Sequence, residues 1–112
     1  MIERKKYTQE ELAYRDIPEN PIILDFSKCD DWYDIHKMLN DKFGLPLFCG
    51  MNWDAFWDLA RSTFYGRGEN YFIEIHNFYS MTEEYQDYCK PMLEIFEDIQ
   101  KENSNVFFAY IS

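Results

Sequence analysis

"VFFAYI" (Val106–Ile111) carries no charge and shows no alternation of apolar with polar residues. A short run of that kind reads as a strand covered on both faces, as in parallel sheets. Two other apolar runs precede it, "PIILDF" (residues 21–26) and "YFIEI" (residues 71–75), each with turn formers in front. Segments of helical period separate the three runs, and strands joined through helices form parallel crossovers. The predicted fold is therefore α/β, a small three-stranded parallel sheet packed by three to four helices.

The helices can be placed from their ends. Trp32, Ile35, Leu39 and Phe43 recur at helical spacing. Asp30 or Asp31 is placed to cap that helix, Gly44 to stop it, and Pro46 follows. A second helix is predicted from Trp53 to Tyr65, with Asn52 as its N-cap. Its apolar arc runs through Phe56, Leu59, Ala60, Thr63 and Phe64, which puts Phe56 and Trp57 in the core. The opposite side carries Asp54, Asp58, Arg61 and Tyr65, and "GRGEN" (residues 66–70) ends the helix. Ser80 and Glu83 have the spacing of a capping box for a long third helix. Pro91 lies inside that helix, which predicts a kink or a break there. Residues 1–20 are mostly charged and polar and read as a loosely attached arm, with one helical turn around Glu10 to Tyr14. The folded domain is then residues 21–112.

Bulk composition bounds the function. A chain of 112 residues is one domain by default. With 46% hydrophobic and 20% aromatic residues it can bury a core without metal or disulfide staples. Twenty-one acids against 11 bases give a net charge of −10. That balance opposes binding to nucleic acid or to an anionic membrane, and it favours a cationic partner. The three cysteines Cys29, Cys49 and Cys89 and the two histidines lack the spacing of a zinc site or a disulfide framework. Free thiols, no apolar leader and no run of 18 apolar residues together predict a cytoplasmic protein.

Two kinds of chemistry compete for the acids. Asp54 and Asp58, one helical turn apart, could serve as an acid–base pair in a small acid-dependent hydrolase. No Ser–His or Cys–His arrangement and no Gly-rich phosphate loop accompanies them. His76, at a strand end, reads as structural. The clusters Asp30, Asp31, Asp34 and Glu83, Glu84 lack the ligand order of a calcium loop and suit helix starts. No cofactor and no metal is expected. The binding reading uses more of the sequence: Phe48 and Trp53 as aromatic anchors, with paired carboxylates placed to receive guanidinium or ammonium groups.

The stretch "LPLFCGMNWDAFWD" (residues 45–58) resembles the signature of the barstar family, inhibitors of small secreted bacterial ribonucleases such as barnase. The residues in register are Leu45, Pro46, Phe48, Gly50, Asn52, Asp54, Ala55, Phe56, Trp57 and Asp58. The order of elements from residue 21 to 112 is similar as well. The resemblance implies a non-enzymatic inhibitor that plugs a basic nuclease active site, as a monomer in a 1:1 complex. It implies Asp58 as main anchor, Asp54 as second, and Phe48 near the rim of the site. Gly50 and Asn52 would shape the loop, with Cys49 and Trp53 beside them. A third acid late in the long helix falls at Asp98, with Glu97 and Glu102 as alternatives. Cys49 stands where the family has a second aromatic, Thr63 where it often has tryptophan, and Arg61 adds a positive charge. An alternative partner is another toxin, or a protein that is not a nuclease.

Overall fold

The computed structural model describes residues 8–111. A single turn, α1 (Gln9–Leu12), precedes β1 (Ile22–Asp25), α2 (Trp32–Lys42), α3 (Trp53–Ala60), β2 (Tyr71–His76), α4 (Glu83–Tyr88), α5 (Lys90–Glu102) and β3 (Val106–Ile111). The sheet order is β1-β2-β3, and both pairings are parallel. Ile22 sits opposite Ile73, and Tyr71 opposite Val106. The α/β architecture is as the sequence predicts.

Each helix end has a physical cause. Asp31 caps α2 by accepting from the Asp34 N–H at 2.9 Å. Gly44 ends it at φ 62°, and a Cβ there would lie 2.5 Å from the Arg15 carbonyl oxygen. Only glycine meets both demands. Buried Asn103 closes α5, its Nδ2 donating to the Ile99 carbonyl.

The core joins one face of the sheet to α2, α3 and α5. Ile22, Leu24, Tyr71, Ile73, Ile75 and Val106 are buried from the strands, and Leu39, Phe56, Met92, Phe96 and Ile99 from the helices. Phe43, just past α2, is fully buried against Phe56, Phe64 and Phe96, with ring centroids 5.5–5.9 Å apart. These edge and tilted contacts add to the stabilisation from burial alone.

Three sequence expectations are corrected, and the expected break near Pro91 is found two residues earlier. β3 is not covered on both faces: Phe107 and Ile111 are exposed on one side, and Tyr110 is exposed as well. Its unbroken apolar run reflects mutual shielding, because exposed Phe107 stacks on its cross-strand neighbour Phe72 at 5.4 Å and 19°. The helix expected to reach Tyr65 stops at Ala60 and continues as turns to Gly66, where φ is 75°. Ser80 is not a cap: its hydroxyl donates to the Asn77 carbonyl, and Thr82 caps α4. The break in the long helix falls at Cys89, with Pro91 in the first turn of α5, where its missing N–H costs no hydrogen bond.

Part of the N-terminal stretch is tied to the domain. Arg15 donates to the carbonyls of Leu45 and Asn40 and pairs with Asp41 at 3.0 Å. Tyr14 donates to the Leu59 carbonyl, Ile17 packs on the core, and Glu19 pairs with Lys42. Arg15 thus holds the end of α2 at the root of the loop that leads to α3.

His36 brings a pH dependence. It is fully buried in α2, its Nε2 is 2.6 Å from the Tyr88 hydroxyl, and its Nδ1 has no partner among the described residues. Burial pulls its pKa down to about 4. The unfolded chain takes up this proton near pH 6.5 and the native chain does not. Stability is therefore fully present above about pH 6.5 and falls by roughly 1 kcal/mol per unit as pH drops toward 4. Urea unfolding between pH 7.5 and 4.5 checks this. A flat profile would mean that His36 does not control stability there.

Candidate functional site

The segment from Leu45 to Arg61 forms a loop and the helix it launches. Asn52 accepts from the Ala55 N–H at 2.8 Å and starts α3. Gly50 lies against that cap: a Cβ there would be 3.0 Å from Asn52 Nδ2 and 3.5 Å from Ala55 Cβ. Loop and helix start are packed as one unit, which limits the ordering cost of any docking event.

Asp54 and Asp58 point outward from α3 and are exposed. Among the described residues neither carboxylate has a hydrogen bond or ion pair. Asp54 sits in the first turn, where the helix dipole favours an anion. Asp58 lies one turn further on the same face.

The α5 side carries a second pair of acids at the same spacing, Asp98 and Glu102. Both are engaged. Trp57 Nε1 reaches Asp98 Oδ2 at 3.4 Å, a long hydrogen bond. Arg61 lies over the Trp57 ring, its Cζ 4.1 Å from the centroid. Its guanidinium meets both Glu102 oxygens, at 3.0 and 3.4 Å. Trp57 is 39% exposed, so it belongs to this surface and not to the core. Arg61 pairs across to α5 and not with Asp58.

The other sequence candidates separate. Phe48 is 36% exposed on the loop, and its neighbour Leu47, which sequence reasoning passed over, is 57% exposed. Cys49 turns inward: its thiol faces Asn40 Oδ1 at 3.7 Å, and burial pushes its pKa up to about 11. Cys49 offers the surface no reactive thiolate. Trp53 is half-buried between His36 and Tyr88 and donates to the Tyr88 carbonyl at 3.0 Å. It braces the start of α3 from beneath. Thr63 is buried, its hydroxyl donating to the Phe43 carbonyl at 2.7 Å.

Among the described residues the face combines exposed aromatics, two unengaged carboxylates and two engaged ones on a braced support. Such a surface can receive cations in bidentate geometry. Among the described residues no group of three or more His, Cys, Asp or Glu is placed to hold a metal ion. The described residues include no helix long and apolar enough to cross a membrane.

Comparison with known proteins agrees with the geometry. No curated protein matches the chain. The family model described as Barstar (barnase inhibitor) matches residues 20–111, nearly the whole described domain. The parallel three-stranded sheet, the capped acidic helix and this match lead to one conclusion: the chain belongs to the barstar family.

Proposed function

We propose that the chain inhibits a basic ribonuclease of the barnase type by plugging its active site with the loop and the acidic face of α3. The observation that carries this reading is the pair of exposed carboxylates of Asp54 and Asp58 on a capped helix, unengaged among the described residues. A nuclease active site holds RNA phosphate with cations. Aspartates presented four residues apart supply negative charge where phosphate would sit. The mutual repulsion of the two acids costs a few tenths of a kcal/mol in the free protein, and a cationic partner reverses its sign.

Phe48 and Leu47 add apolar area beside the acids, as anchors that lose water on docking. Inhibition of this kind is stoichiometric, one inhibitor to one enzyme, and needs no cofactor and no turnover. A cytoplasmic inhibitor would protect the producing cell from its own toxin.

Salt dependence tests the mechanism. With a net charge of −10 and the acids at the front, association is steered by long-range attraction. The association rate with a barnase-type ribonuclease is expected to fall steeply between low and physiological ionic strength. A rate indifferent to salt would overturn the electrostatic plug.

A further inference from the structure

The acidic face is not uniform, and its division concerns the kind of partner it accepts. The α3 half presents Asp54 and Asp58, to which nothing among the described residues is bound. The α5 half presents Asp98 and Glu102, each already bonded from within. Trp57 engages Asp98, and Arg61, a cation seated on this half, engages Glu102. Arg61 caps the C-terminal end of α3, where a cation complements the helix dipole. It stacks on Trp57 and forks onto Glu102. The stacking and the fork together hold its side chain in one place, although about a third of it remains exposed.

We infer that Arg61 is a built-in counter-cation that selects the partner. It excludes a basic group from the α5 half and directs cation binding to Asp54 and Asp58. This rests on the reading of the face as a nuclease plug and names the chemistry of the cognate enzyme. A partner cation arriving at Glu102 meets a guanidinium already seated there. It must displace that group from both Trp57 and the carboxylate, or accept like-charge contact across a desolvating interface. Either route is unfavourable. The fitting partner presents two cations toward Asp54 and Asp58. Opposite Arg61 it presents a carboxylate or a neutral acceptor, not a further lysine or arginine. An enzyme whose rim is basic throughout is a mismatched target.

Two probes test the inference separately from the nuclease reading. One is a barnase-type ribonuclease with a rim basic throughout; the other is a hexa-arginine peptide, which brings guanidinium groups without an enzyme's shape. Arg61→Ala is expected to tighten binding of each by about tenfold or more, through release of Glu102 and loss of like-charge contact. Arg61→Lys, which keeps the charge, should stay within about threefold of the parent, since charge is the discriminator. Lys90→Ala removes an equal charge from an exposed pair with Asp87, outside the face, and should change little.

Peptide affinity in Arg61→Ala that is unchanged, weakened, or raised no more than in Lys90→Ala would overturn the inference. It would make Arg61 a brace for Trp57 and Glu102 only. Peptide tightening in Arg61→Ala alone, with no inhibition of the ribonuclease by any variant, would sustain the charge selection and overturn the nuclease reading instead.

Discussion

Asp58→Ala is expected to weaken binding to a barnase-type ribonuclease by about 30-fold or more, mainly through faster dissociation. Truncating one partner of a desolvated charge pair costs about 2–5 kcal/mol, a range to which barnase–barstar itself contributes, and 1.4 kcal/mol is tenfold in affinity. The structure favours the loss appearing in binding and not in folding. Asp58 is exposed and has no partner among the described residues, so its removal orphans none of their groups. The melting temperature should stay within a degree or two, because surface substitutions of this kind change stability by about 0.5 kcal/mol or less. Stopped-flow association and dissociation rates measured beside a thermal melt separate the two effects. An unchanged dissociation rate would remove Asp58 from the interface.

Phe43→Ala is expected to destabilise the domain by about 3–5 kcal/mol, the usual cost of emptying a buried phenylalanine site. Phe43 touches Phe56 of α3, Phe64 beyond it and Phe96 of α5, so the cavity would open where these elements meet. A loss of that size should lower the melting temperature by at least about 12 °C for a domain near 100 residues. It should also weaken inhibition with every acid still in place, because α3 and α5 would no longer hold their carboxylates in one register. Thermal unfolding monitored by circular dichroism checks the first effect. A melting temperature within a few degrees of the parent would mean that the ring cluster does not organise the core.

The fold was legible because its signals are local. Asp31, Asn52 and Gly44 mark helix ends through chemistry confined to a few residues, and each stands where that chemistry places it. Three apolar runs separated by helices fix a parallel sheet for topological reasons alone. What was not legible depends on contacts between distant residues. Phe107 reads as buried because nothing in its own run announces that Phe72 will cover one of its sides. Trp57 reads as core from the helical arc, yet it lies at the boundary, where α5 supplies an acid for its edge and Arg61 a cation for its face.

The acids show the same limit. Asp54 and Asp58 are visible in sequence as a pair on one helical face, and no other described residue engages them. The partnership of Arg61 with Glu102 spans 41 positions, beyond the reach of any spacing rule. Arg15 is a further case. Its place in a polar stretch hides the three bonds by which it holds the root of the loop.

The most direct test of the electrostatic plug is a ribonuclease inhibition titration, with the parent chain beside the double variant Asp54→Ala, Asp58→Ala. The account predicts activity that falls linearly to a sharp end point at one inhibitor per enzyme, and no end point with the double variant at the same concentrations. Inhibition by the double variant as complete as by the parent would contradict it, since the acids of α3 would then not be what fills the active site.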